Sequence, residues 1–225
     1  MKKTFGIIGC IFLLLYSGIV LGVLTERQWV NEFDFLLINV IQSQVSDPLS
    51  VLVAILTDIG GVKEIIAVTI LVIAVLWIKR MYVAGLWLGG TVLLSVGLLT
   101  VMKILIGRAR PDILVIATEQ SQSFPSGHSA VSTIFYGLIG LTMVLLMKKL
   151  WHKVFITVIV SMIISFVTLS RIYLGAHFPT DVLGGLFFGL AGVFISISMY
   201  QLTLPHLQKF LLQMKLKDKS PLLMK

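Results

Sequence analysis

Residues 82–105 read YVAGLWLGGTVLLSVGLLTVMKIL. The run carries no charge before Lys103 and is long enough to cross a bilayer core, which takes about 20 apolar residues in a helix. Five further runs share this character, at 5–24, 61–78, 128–147, 154–174 and 182–203. The run at 61–78 is the shortest, and Lys63 and Glu64 must reach back from it to the interface. The expected fold is therefore all-α: an integral membrane bundle of six transmembrane helices forming a single domain over 1–225. Composition agrees, with 57% hydrophobic and 12% charged residues, where an average soluble domain is nearer a quarter charged.

The charges sort by side. Lys2, Lys3, Lys79, Arg80, Lys148, Lys149, Lys153, Lys209, Lys215, Lys217, Lys219 and Lys225 fall at one end of the runs, twelve of the 18 Lys and Arg. Arg27, Lys63, Lys103, Arg108, Arg110 and Arg171 fall at the other, with nine of the ten acids. Lysine and arginine mark the cytoplasmic face, so both termini are expected to be cytoplasmic, with 204–225 forming a basic cytoplasmic tail. Trp77 and Trp151 stand beside the cytoplasmic lysines, as an aromatic belt would. The net charge of +8 is thus explained by topology, and no nucleic-acid partner is needed. The first run is long for a signal peptide and no clear small-residue cleavage site follows it, so an uncleaved first span is expected. The lone Cys10 sits in an apolar run and offers neither a disulfide nor a cysteine metal site. Between the first two runs, Trp29, Phe33, Leu36, Leu37, Val40 and Ile41 recur at helical spacing, interrupted by Glu32, Asp34 and Asn39. The segment 27–48 is expected to lie in the outer interface and pack on the bundle.

Three blocks carry residues that bilayer physics does not select. Lys103 opens the first, which runs on through Gly107 and Arg108 to Arg110 and Pro111. Pro125-Ser126-Gly127-His128 is the second; Ser170 and Arg171, followed by His177 and Asp181, make the third. By the charge-derived topology all three emerge on the outer face. Lys103, Arg110 and Arg171 are permanent cations around two histidines and one carboxylate, a balance that repels a dication and suits an anion with several oxygens. Ser126 and Gly127 open a helix, whose free N–H groups favour an anion. Pro179 suits the first turn of the last span, which puts Asp181 in that turn and His177 just before it. Asp181 can then accept from one imidazole nitrogen and leave the other as a nucleophile, while His128 protonates a leaving oxygen. Taken singly, each residue has a plainer role: Lys103 as a snorkelling lysine, Ser170 and Asp181 as helix caps, Arg108 as a solvated interfacial charge, Asp112 and Glu119 as loop solvation. Those roles give no reason for the blocks to share one face.

The blocks 103–111, 125–128 and 170–181 resemble the three-part signature of the type 2 phosphatidic acid phosphatase superfamily, with every signature position filled. The resemblance implies a lipid phosphatase with His177 as phosphohistidine nucleophile, Asp181 as its orienting partner and His128 as general acid. It implies that Lys103, Arg110, Ser126, Gly127, Ser170 and Arg171 bind the phosphoryl group, with no metal and no cofactor. The partner is then a lipid phosphate or pyrophosphate held in the bilayer of a cell membrane, its phosphate reaching an extracytoplasmic site; phosphatidylglycerophosphate, undecaprenyl pyrophosphate and phosphatidic acid are all candidates. The six spans argue against the soluble branches of the superfamily, and the short loops suit a bacterial member. A phosphorylated-lipid carrier or receptor that binds without turnover would use the same cations but would leave His177 and Asp181 surplus. Gly185, Gly189 and Gly192 on the last span predict a close helix approach.

Overall fold

The computed structural model of the protein describes residues 2–43, 45–112, 115–116, 119 and 121–223. Lys225 of the basic tail and Gln44 of the 27–48 segment lie outside them. The helices in chain order are α1 Lys2–Leu24, α2 Gln28–Gln42, α3 Asp47–Leu56, α4 Val62–Ile78, α5 Tyr82–Ile106, α6 Gly127–Leu146, α7 Leu150–Tyr173 and α8 Pro179–Gln213, with a 3₁₀ turn at Thr57–Gly60. Among the described residues there is no strand. Helices α1, α5, α6, α7 and α8 are long and apolar enough to cross a membrane. Helix α4 stands where the second span is expected; its 17 residues make about 25 Å at ~1.5 Å per residue, near the lower limit for a span. Helices α2 and α3 together are also apolar enough, but they are bent from one another by 113°.

Helices α6 and α8 form the centre. Helix α1 lies along α8, α7 lies along α6, and α4 packs on α5. Small residues on α8 let its backbone touch α6, as the sequence predicts. A Cβ on Gly185 would stand 2.5 Å from the Ser126 carbonyl oxygen, and one on Gly189 2.6 Å from the Thr133 Cβ. At Gly192 the approach relaxes to ordinary contact, 3.4 Å from Ile134. The tightest point therefore joins the second turn of α8 to the start of α6, and the Ser126 N–H donates to the Asp181 carbonyl at 3.0 Å.

Helix α2 packs on the bundle with a face rotated from its apolar stripe: Phe33, Leu37 and Ile41 at the stripe's edge are half-buried, and Ile41 packs beside Ile172 and Tyr173. Val30, Asp34, Ile38 and Gln42 are buried, spaced four apart, whereas Trp29, Leu36 and Val40 are 47%, 60% and 61% exposed. Asp34 and Gln42 turn inward, where each finds a hydrogen-bond partner, as buried polar groups must. Ile38 packs with Ile172 and Val182, and Gln42 donates to the Ile172 carbonyl at 3.1 Å.

The chain after residue 204, expected as a basic tail, packs on the bundle. Helix α8 runs on through Pro205 to Gln213, and the segment behind it folds back onto the start of α5. There Asp218 accepts the Val83 N–H at 3.1 Å, Ser220 accepts that of Ala84 at 3.0 Å, and Lys219 N–H donates to the Arg80 carbonyl at 2.8 Å. The free N–H groups of the first turn of α5 are thus capped from the far end of the chain, which brings the tail to the same end as Lys79 and Arg80. Substituting Gly185→Ala is expected to lower unfolding free energy by about 1–3 kcal/mol through overpacking. Gly97→Ala, with nothing within 4 Å of its new methyl, should leave it unchanged or raise it by under about 1 kcal/mol; thermal unfolding in detergent compares the two.

Candidate active site

The turn after α7 presents the first histidine. Gly175 takes φ +66°, the left-handed conformation that ends a helix without a Cβ clash. The N–H groups of Ala176 and His177 then both donate to the Arg171 carbonyl, at 3.1 and 3.2 Å. Pro179 opens α8 at a position where its missing N–H costs nothing. Asp181 falls in that first turn and accepts the Phe178 N–H at 2.9 Å, so its carboxylate caps the helix that carries it. His177, 1% exposed, has Nδ1 3.6 Å from Asp181 Oδ2 and 3.4 Å from Ser123 Oγ. The Ser123 hydroxyl donates to the same carboxylate oxygen. On its other edge, His177 Nε2 faces Arg110 Nη1 at 3.3 Å. Burial lowers the His177 pKa from 6.5 to about 4, assisted by Arg110 and Lys103 and opposed by Asp181. The imidazole is therefore neutral at pH 7, with a lone pair to offer.

Arg110 and Arg171 converge on one carboxylate, that of Glu119. Arg110 is fixed by the carbonyls of Ser121 and Ala176, at 2.7 and 2.6 Å, and its Nη2 donates to Glu119 Oε2 at 3.1 Å. Arg171 pairs with Glu119 Oε1, and His128 Nδ1 stands 3.7 Å from the same oxygen. Burial would raise the Glu119 pKa, but the nearby positive groups, Arg171 foremost, hold it below the ordinary carboxylate range. The Nε of Arg171 is buried and has no acceptor among the described residues. Lys103 Nζ donates to the Gln122 carbonyl at 2.5 Å, an oxygen that Arg110 also approaches at 3.4 Å.

The two serines of the signature serve helix geometry. Ser126 Oγ caps α6, accepting from the Ser129 N–H at 3.4 Å and its hydroxyl at 2.9 Å. Ser170 Oγ shares a hydrogen bond with the Thr57 hydroxyl at 2.6 Å and donates to the Val167 carbonyl at 2.7 Å. Ser126 and Gly127 remain beside the site, because the Ser126 N–H is held by Asp181. Beneath Lys103, a cavity of about 240 Å³ opens between α5 and α6, touching Gly127 and Gln122 and walled by Val96, Leu99 and Val131.

Two expectations fail here. Arg108 is no solvated interfacial charge: it donates to Asp181 Oδ1 at 2.6 Å and Asp34 Oδ2 at 2.7 Å, and stacks 4.2 Å over the Phe178 ring. Glu119 does not merely solvate a loop, since it bridges Arg110 and Arg171. Ser123 and Asp34 were not singled out either. The signal for Asp34 is a carboxylate flanked by Phe33 and Phe35 in a largely apolar stretch, the kind of residue that membrane physics tolerates only when it is paired.

A helical membrane-type bundle whose buried histidine–carboxylate pair opens onto fixed cations is the class that fold and site define. The chain belongs to the PAP2 superfamily, whose model matches residues 84–204, in agreement with the signature blocks. Phosphatidylglycerophosphatase B of Bacillus subtilis is 43% identical over 96 residues, 42% of this chain and 47% of that protein. A lipid A 1-phosphatase of Rhizobium etli is 34% identical over 123 residues, 49% of each chain. The matched stretches thus span about half the length of these relatives. The fold is similar to the crystal structure of a transmembrane PAP2-type phosphatidylglycerolphosphate phosphatase from Bacillus subtilis, with a TM-score of 0.77 and 26% identity over 85% of this chain and 95% of that one.

Titration of histidine-¹⁵N-labelled protein should find His177 neutral down to pH 5, with a midpoint of about 4. The sign follows from the depressed value: at pH 4–6.5 the unfolded chain binds the extra proton, so this group's contribution to stability is lost as pH falls through that window. A His177 midpoint near 6.5 would contradict the burial and the neutral nucleophile together.

Proposed function

We propose that this protein hydrolyses a phosphate ester or anhydride on a membrane lipid, without metal, through a phosphohistidine formed on His177. The observation that carries the reading is the meeting of a neutral buried imidazole with an anion seat. His177 Nε2 lies 3.3 Å from Arg110, and the protein's own Glu119 carboxylate already spans Arg110 and Arg171. A substrate phosphoryl group takes that carboxylate's place, and the unsatisfied Nε of Arg171 gives it a further donor. Guanidinium forks suit such oxygens.

In the first step the Nε2 lone pair forms a bond to phosphorus. The bond from phosphorus to the leaving oxygen breaks with its electron pair, and His128 supplies the proton that makes a lipid hydroxyl. Asp181 accepts from Nδ1 and steadies the positive charge that develops on His177. In the second step water attacks phosphorus, His128 takes its proton, and the N–P electron pair returns to Nε2, leaving inorganic phosphate. The arginines stabilise charge on the equatorial oxygens in both steps. A dication is disfavoured by the same cations. The apolar cavity below Lys103 suits the first part of a hydrocarbon chain, which supports a lipid over a soluble ester.

The reading places the site on the outer side with both termini inside, supported by the gathering of Lys79, Arg80, Lys148, Lys149 and the tail lysines at the opposite end. Among candidate lipids, phosphatidylglycerophosphate draws support from the names of the Bacillus relatives.

His177→Ala should abolish phosphate release from lipid phosphates while the protein still inserts and runs as a monodisperse species in detergent; undiminished release would remove the mechanism. Turnover should persist in excess chelator. In wild-type protein, orthovanadate should inhibit by imitating five-coordinate phosphorus. Its inhibition constant should fall by about 3- to 10-fold in Glu119→Gln, where the competing carboxylate charge is gone, roughly the worth of one partly screened ion pair. Binding of lipid phosphate with no release by wild-type protein would mark a carrier instead.

A further inference from the structure

Helix α2 lies outside the residues matched by the family model, 84–204, yet it delivers a carboxylate to the centre of the outer end. Asp34 is 3% exposed. Its Oδ1 accepts the Thr180 N–H at 2.7 Å, and its Oδ2 accepts the Thr180 hydroxyl at 2.8 Å and Arg108 Nη2 at 2.7 Å. The other terminal nitrogen of Arg108 donates to Thr180 Oγ1 at 2.8 Å and to Asp181 Oδ1 at 2.6 Å. One guanidinium thus lies between two carboxylates, and only one of those carboxylates adjoins His177.

We infer that Asp34 is a positioning residue for the proposed reaction: it shares the charge of Arg108 and locks the first turn of α8, so that Asp181 stays available to orient His177. The inference rests on the reading of His177 as nucleophile. Two physical arguments carry it. The first is electrostatic. In a low-dielectric site a single carboxylate facing Arg108 would be drawn wholly into that pair. With Asp34 on the far side, the guanidinium divides its donors, and Asp181 keeps Oδ2 for Ser123, for the Phe178 N–H and for His177. The second is geometric. The Thr180 N–H belongs to the first turn of α8, where no partner exists within the helix. Asp34 satisfies it, and an anion is favoured at that end of the helix dipole. His177 and Asp181 flank this turn, so its angle sets theirs. Mere attachment of α2 does not require a buried ion, because Ile38 already packs on Ile172 and Val182. A buried ion pair is a costly way to gain stability alone.

Asp34→Asn tests this, since it keeps the side-chain shape and an acceptor for the Thr180 N–H while removing the charge. Phosphate release from lipid gives kcat and KM, orthovanadate gives an inhibition constant, and ¹⁵N spectra resolve the four histidines. The expected result is a kcat reduced about 10- to 100-fold, equivalent to about 1.4–2.7 kcal/mol of lost transition-state stabilisation. KM and the vanadate constant should stay within about threefold, because no phosphate oxygen is lost a partner. The His177 resonances should shift while those of His152 and His206 stay fixed. A kcat within about twofold of wild type, or a raised KM with kcat kept, would overturn the inference. If Asp34→Asn does not fold, Asp34→Ser removes the same charge, which pairs directly with Arg108, with a smaller side chain, and the same outcomes apply. The spectra separate this inference from the functional reading. A wild-type protein that releases no phosphate from any lipid counts against the function, whereas unmoved His177 signals in the variant count against Asp34.

Discussion

An apolar bundle cannot hold an unpaired charge, and one end of this bundle holds several. Transfer of an isolated ion into such surroundings costs many kcal/mol, so each must meet an opposite charge or strong hydrogen bonds. That requirement organises the structure around three carboxylates from three different segments. Asp34 on α2 and Asp181 on α8 enclose Arg108, while Glu119 from the loop before α6 spans Arg110 and Arg171. The pairs tie α2, the end of α5, the end of α7 and the start of α8 into one polar centre. Gly185 lets the first turn of α6 approach closely enough to join them.

Much of this was legible in the sequence because membrane physics restricts what a span can contain. The apolar runs located α1 and α4–α8, with ends within about four residues except at α8, which continues to Gln213, since about 20 apolar residues have few alternatives in a bilayer. Charge asymmetry along the chain is enough to group the three blocks at one end of the helices. His177 and Asp181 were readable as a pair because Pro179 fixes the helix start between them. What could not be read was partner choice. Arg108 and Arg110 are two residues apart and chemically identical, yet one reaches back to Asp34 and the other faces His177. Which way each points depends on α2, more than sixty residues away in the chain, and local spacing carries no record of it. Helix α2 itself misled because a membrane reverses the soluble rule. Trp29, Leu36 and Val40 of its apolar stripe face outward, and of the two acids that interrupt the stripe only Asp34 turns to the bundle. The fold-back of the tail was hidden for a similar reason, as nothing near Asp218 announces a partner at Val83.

The charge balance of the centre bears on the chemistry proposed for it. Four fixed cations, Lys103, Arg108, Arg110 and Arg171, adjoin three carboxylates, Asp34, Asp181 and Glu119, leaving one positive charge in excess. Glu119 differs from the other two carboxylates in kind. Its side chain is 28% exposed, against 4% for Asp34 and 0% for Asp181, and it comes from a loop, where the other two are carried on helices. It is the carboxylate that can leave at least cost in desolvation. If a phosphate monoester takes its place, the entering group carries close to two negative charges at pH 7. Two carboxylates and one dianion then face four cations, and the excess disappears. A neutral centre is the cheapest one to keep in an apolar bundle, so the same constraint that assembles the resting site favours its exchange of Glu119 for a phosphoryl group. The departing lipid hydroxyl and inorganic phosphate are easier to release when that internal carboxylate stands ready to return.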